Sequence, residues 1–191
     1  MARRRGKHGL AQAWILLHAD DPEAVSALAV ARAHLAAGRA LAGLRRARLF
    51  ELRGDLPGRE ELEDLLHRST QFYNPHKERC LVRTSPEEPT PAAAGERILL
   101  VWERGGERRP AAERWWLHET GRRIEVREGV AWLLALEPGA PARAVEALAV
   151  VGDRAHGLLV NPHAQDHRAT GPEGAFPCWE AVERTRGKEP A

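Results

Sequence analysis

Lysine, asparagine, methionine and tyrosine are almost missing from this 191-residue chain. Lys7, Lys77 and Lys188 are its only lysines, so arginine supplies 26 of the 29 basic residues. Asn74 and Asn161 are its only asparagines, and Met1 its single methionine. The surplus of Ala, Arg, Gly, Pro and Trp that accompanies these shortages is what a GC-rich coding background produces. The many arginines therefore say little about function by themselves. Two cysteines, Cys80 and Cys178, are too few for a disulfide scaffold. No apolar run approaches the roughly 18 residues of a membrane-spanning helix. The basic Met1–Lys7 is followed by a short stretch that contains Gln12 and His18 and runs into Asp20 and Asp21, so it does not read as a secretory signal. Phosphate-binding loops, Gly-x-Gly-x-x-Gly turns, Gly-x-Ser-x-Gly elbows and Cys-x-x-Cys pairs are all lacking. These shortages predict a soluble, cytoplasmic protein with no cofactor and no catalytic residue of its own.

What is present is an architecture. Met1–His8 reads as a disordered basic arm, and residues 9–84 as a first α+β unit. Within it Ala13–Leu17 is a short apolar strand. Asp20-Asp21-Pro22-Glu23 is a helix start, with an aspartate to cap, proline in the first turn and an acid at the positive end of the dipole. The Ala/Leu/Val stretch Ala24–Leu41 predicts a largely buried helix. Arg48–Arg53 alternates as a strand, and Arg59–Phe72 places Leu62, Leu65 and Leu66 at helical spacing. Asn74-Pro75 ends that helix, and Glu78–Thr84 alternates again. Residues 85–95, with three prolines between Thr84 and Gly95, read as an interdomain linker. Residues 96–170 form the second α+β unit. It opens with the apolar strand Ile98–Trp102. Trp115–His118 fits either a strand or a helix. Arg122–Arg127 alternates, Gly129 turns the chain, Val130–Leu136 is another strand, and Pro141–Leu159 reads as a helix. Residues 171–191 read as a flexible tail, with Phe176 and Trp179 its candidates for docking.

The two rare asparagines carry the strongest signal. Both stand in Asn-Pro-His, at Asn74-Pro75-His76 and Asn161-Pro162-His163, and each tripeptide follows a strand and an apolar helix. Given one copy, the chance that the only other asparagine repeats it is on the order of a few in a thousand. The spacing of nearly half the chain predicts an internal duplication.

Two chemical alternatives accompany this reading. His163, Asp166 and His167 have a metal-ligand composition with His156 nearby, so a metalloprotein or metal-dependent enzyme is one reading. Asn-Pro precedes the group and the first copy keeps no second histidine, which favours a solvated turn. Arg3, Arg4 and Arg5, with Met1–Lys7 around them, could meet nucleic-acid phosphates, while Trp14, Trp102 and Trp132 fall in core patterns. Cys80 reads as a structural thiol.

Asp21-Pro22-Glu23, Arg45–Arg53, and Leu65-Leu66 through Asn74-Pro75 and Glu78 give the first half an order similar to PurS, the small non-catalytic subunit of bacterial phosphoribosylformylglycinamidine synthase. Leu158-Leu159-Val160-Asn161-Pro162, then Asp166, is closer still at the motif itself. The resemblance covers about Trp14–Thr84 and Val130–His167. It implies an α+β fold of two ferredoxin-like halves, each an antiparallel sheet packed against helices. The implied role is an accessory or assembly subunit that bridges protein partners in purine biosynthesis or self-associates. Asn74, Pro75, His76, Asn161, Pro162 and His163 would then be helix-end or interface determinants.

Overall fold

A computed structural model describes residues 8–105, 108–141 and 143–179. Its elements run β1 (His8–Leu17), α1 (Pro22–His34), β2 (Leu41–Asp55), α2 (Arg59–Arg68), β3 (Glu78–Arg83), β4 (Arg97–Glu103), α3 (Pro110–Thr120), β5 (Ile124–Leu136), α4 (Ala144–Ala149) and β6 (Gln165–Thr170). The six strands form one antiparallel sheet in the order β3-β1-β2-β5-β4-β6. The fold is thus mixed α/β. Each half contributes three described strands rather than the four of a ferredoxin-like unit. None of the described helices is long and apolar enough to cross a membrane.

Local chemistry sets the elements. Asp21 caps α1, accepting from the Glu23 and Ala24 amides, and Pro22 fills the first turn. The helix is shorter than its composition predicts. It stops at His34, the chain makes a 3-10 turn at Gly38–Ala40, and β2 begins at Leu41. Gly38 explains the bend: a Cβ there would fall 1.8 Å from the Ala31 carbonyl oxygen, so only glycine lets the chain fold back under α1. β5 is also longer than expected. Gly129 lies inside this single strand instead of turning it, because its missing side chain admits the Val101 oxygen, 2.8 Å from an ideal Cβ, and the Trp179 ring. Trp115–His118 is helical, within α3. The expected helix Pro141–Leu159 shrinks to α4. Beyond it Asp153 accepts from the Ala155 amide (2.7 Å), and the amides of Gly157, Leu158 and Leu159 return to the carbonyls of Ala147, Leu148 and Ala149.

Strand alternation divides the core. On one face, Ala13 and Ile15 of β1 join Phe50 and Leu52 of β2, Leu62, Leu65 and Leu66 of α2, and Ala112 and Trp116 of α3. On the same face, Ala24 and Ala31 of α1 share a second cluster with Leu99 and Val101 of β4, Trp132 and Leu134 of β5, and Leu148 of α4. α1 packs chiefly on β2 and α3 chiefly on β5, each within its own half, and both clusters extend from there into residues of the other half. The opposite face carries Trp14, Leu16, Leu49, Ile98, Leu100, Trp102 and Leu133, and none of the described helices contributes to it. Ala92 of the linker and Ala175, Cys178 and Trp179 of the tail lie there instead.

Two segment readings change accordingly. Residues 85–95 do not separate two sheets: Thr90 Oγ1 donates to the Pro172 carbonyl (2.6 Å), and Arg45 donates to Pro91 O (3.0 Å). Residues 171–179 are held rather than loose. Buried Arg83 donates to Glu88 O (2.8 Å), Pro86 O (3.1 Å), Glu173 O (3.1 Å) and Gln12 Oε1 (3.1 Å), so one guanidinium ties linker, tail and β1 together. The arm Met1–Lys7 and residues 180–191 lie outside the described residues.

The register also gives the duplication a geometry. β3 and β6 follow the two Asn-Pro-His copies at the same distance, so Arg83 is equivalent to Thr170. Their partners on the next strand in, Gln12 and Ile98, are then equivalent. So are the partners of those, Glu51 and Leu133. Carried along the central β2·β5 ribbon, the same offset makes Arg48 and Val130 equivalent, and these two residues pair with each other. A pseudo-twofold axis therefore pierces the sheet between Arg48 and Val130.

Candidate functional site

A cleft of about 350 Å³ opens over this axis on the helix-bearing face, lined among others by Arg46, Arg48, Glu103, Glu128, Trp132 and Gln165. Arg48 donates to Phe72 O (2.8 Å) and to Glu78 Oε1 (3.0 Å), approaches Glu128 (3.6 Å) and lies over the Phe50 ring. Arg46 pairs with Asp21 (3.3 Å) and Glu23 (3.0 Å) from the start of α1 and lies over the Trp132 ring. The pseudo-equivalent of Arg46 is Glu128, and it pairs with Arg109 at the start of α3 (3.0 Å). Arg109 holds the N-cap position of α3 that Asp21 holds in α1. The same bond thus recurs in both halves with its charges exchanged. Glu23 and Glu128 face arginines, and Glu103 accepts from Gln165 Nε2 (2.9 Å). Carboxylates engaged in this way fix the shape of a polar cleft.

The two Asn-Pro-His turns repeat bond for bond. The side-chain oxygens of Asn74 and Asn161 accept from the His76 and His163 amides, both at 3.0 Å. The Asn74 amide donates to Glu78 Oε2 (2.7 Å) and the Asn161 amide to Gln165 Oε1 (2.9 Å). The ring of His18, just past β1, lies 3.3 Å from Pro75 O, and Arg104, just past β4, donates to Pro162 O (2.5 Å). Pro75 and Pro162 carry these carbonyls at opposite edges of the sheet, beside β3 and β6. The turns face neither each other nor the cleft. Their structural work is to stop a segment and launch an edge strand.

His163, Asp166 and His167 are not brought together. His163 sits in the turn, while Asp166 and His167 are neighbours in β6 and so point to opposite faces. Asp166 pairs with Arg104 (3.3 Å), and His167 lies 3.3 Å from Glu146. His156 bonds Asp153 (2.9 Å). Among the described residues, no three His, Cys, Asp or Glu side chains converge as a metal would need. Arg3, Arg4 and Arg5 lie outside the described residues. Burial pushes the Cys80 thiol up to about 12, with Glu63 adding to it. Burial likewise raises Cys178, whose Sγ accepts from Gln12 Nε2 (3.1 Å). Both are structural thiols.

A second groove, of about 480 Å³, runs along α1 between Pro22, Ala27 and Val30 and the residues Trp132 and Leu158. From Ala24 to Ala31 the helix carries no charge. Its buried residues are only Ala24 and Ala31, so much of its apolar surface faces outward, with Val25 53% and Val30 42% exposed.

Sequence reasoning found the asparagine turns but not the axial residues Arg46, Arg48 and Glu128, nor the clamp Arg83. A usable signal for the last was an arginine ending an otherwise alternating strand just before a proline-rich segment. Fold and site together define a pseudo-symmetric mixed α/β protein with a polar cleft on its axis and a helix whose apolar face is exposed among the described residues. Comparison with protein-family models, curated proteins and solved structures finds no match.

Proposed function

We propose that this chain is a non-catalytic accessory or assembly protein that holds a protein partner against the outer face of α1. The observation that carries the reading is the uncharged stretch Ala24–Ala31, which leaves Val25 and Val30 in solvent beside an apolar groove. A soluble chain rarely leaves a contiguous apolar surface open unless something docks there. The partner suited to it presents an apolar, uncharged helix or loop, since Glu23 at one end, already paired with Arg46, is the one charge among the described residues that line this groove. The resemblance to PurS supports the same role, because that family bridges other proteins and performs no chemistry itself. Purine biosynthesis is the pathway that the resemblance suggests.

Photo-crosslinking from position 25 or 30, with position 154 as the control, tests the reading. A stoichiometric adduct from α1, absent from position 154 and lost in a Val25→Lys/Val30→Glu variant, is the expected result. Both valines are exposed, so that variant should keep its stability to within about 0.5 kcal/mol. A chain that stays monomeric by sedimentation and yields no adduct from α1 would refute it.

A further inference from the structure

At the far end of the central ribbon, where Gly54 of β2 pairs with Ile124 of β5, a groove of about 740 Å³ lies against α3. Pro110, Glu113, Arg114 and Leu117 form one face of α3 by their spacing and make one wall. Arg53, Arg108, Arg123, Ile124 and Glu125 complete the lining. Four arginines stand against two glutamates.

The two acids are already engaged. Arg108 grips Glu113 through two bonds, Nε to Oε1 (2.7 Å) and Nη2 to Oε2 (2.8 Å). Glu113 Oε1 also accepts from the Val126 amide (2.9 Å). The Arg108 guanidinium is the main reason that the Glu113 carboxyl titrates below its usual range, so it is ionised. Glu125 is shared by Arg127 (2.8 Å) and Arg108 (3.3 Å). Arg114 and Arg123 are exposed, and among the described residues no acceptor faces either side chain. Among the described residues their two charges stay uncompensated, at a concave site where Pro110, Leu117 and Ile124 supply apolar wall.

We propose that this groove binds a phosphorylated small molecule of about nucleotide size, with Arg114 and Arg123 on the phosphate. The lining's net charge of +2 matches the charge of a phosphate monoester, close to −2 near neutral pH. Guanidinium forks fit phosphate oxygens bidentately, and the volume falls among those of small-ligand sites. The apolar wall suits the ligand's organic part.

Calorimetric titration of the whole chain with inorganic phosphate, pyrophosphate, adenosine monophosphate and adenosine tests this. Adenosine monophosphate should bind, weaken as salt is added, and lose at least tenfold in affinity in an Arg114→Ala/Arg123→Ala variant. Arg39→Ala, on the turn after α1, should bind as the parent does. Both grooved arginines are exposed, so melting of the double variant by circular dichroism should match the parent. Three results would each overturn the proposal: none of the phosphate compounds binds, adenosine binds as tightly as its monophosphate, or the double variant binds unchanged. Tight binding of a single-stranded oligonucleotide without any of the small phosphates would assign the groove to nucleic acid instead and overturn it equally.

Discussion

Arg83 is fully buried, yet among the described residues no carboxylate hydrogen-bonds it. Its partners are three backbone carbonyls, the Gln12 amide and the Phe176 ring, whose centroid is 5.7 Å away. Burial lowers its pKa, the direction expected of a cation removed from water. Methionine could fill the volume but would leave those acceptors unpaired. Arg83→Met should therefore cost about 2–4 kcal/mol in urea unfolding, and a cost below about 1 kcal/mol would contradict the clamp. Glu51 is the buried counterpart, accepting from the Cys178 amide (2.7 Å) and from Arg53 (3.1 Å). Burial outweighs those bonds and raises its pKa. The folded chain then keeps that proton to higher pH than the unfolded chain does. Stability from this group falls as pH rises through the interval between the unfolded and folded values. Glu51→Gln removes the titration and keeps an oxygen for Cys178. Its stability relative to the parent should rise as pH climbs above the ordinary glutamate range, and a difference that is flat with pH would refute the assignment. Neither residue was legible beforehand, because an arginine and a glutamate in alternating strands read as solvent-facing. Their burial comes from the linker and tail, segments without periodicity.

At the scale of elements, the punctuation was legible and the lengths were not. Asp21-Pro22 placed the start of α1 correctly, because caps and prolines act locally. The Asn-Pro steps stop no helix, since α2 already ends at Arg68 and α4 at Ala149; they precede β3 and β6 instead. Extents depend on contacts between distant residues. Gly129 looked like a turn and is a point of close approach between strands. Ala24–Leu41 looked like one helix and is a helix, a 3-10 turn and the start of a strand. β6 was not expected at all, since its six residues alternate polar with polar and only the pairing with β4 identifies them. The matched asparagine turns make an element-level prediction. Asn74→Ala and Asn161→Ala each remove one 3.0 Å side-chain acceptor from equivalent positions. Each should cost about 1 kcal/mol by thermal or urea unfolding, and the two costs should agree within about 0.5 kcal/mol. A large loss at one position with none at the other would show that the turns do different work.

For the whole molecule, the β-α-β-α-β order of the first half was readable, but neither the same order in the second half nor the arrangement of the two halves was. Nothing in the residues of β2 or β5 announces that they pair with each other over thirteen registered positions. That pairing, with two core clusters that each draw residues from both halves, leaves neither half with a complete core of its own. Residues 1–88 and 89–191 expressed separately should each lack cooperative unfolding. Expressed together, they should recover a one-to-one complex with the far-ultraviolet spectrum of the intact chain. A half that melts cooperatively alone would show two independent domains.

The pair on the axis has a consequence for how such a chain can diverge. In an assembly of two identical subunits, whatever stands on the symmetry axis must face its own copy. An arginine at the place of Arg48 would then oppose another arginine across the ladder, where like charges repel. Here Val130 faces it, and Arg48 is free to turn toward Glu78 and Glu128. Covalent fusion releases the central position from self-complementarity. The axial cleft accordingly has a left and a right, and any molecule seated there would lie in one orientation, once per chain.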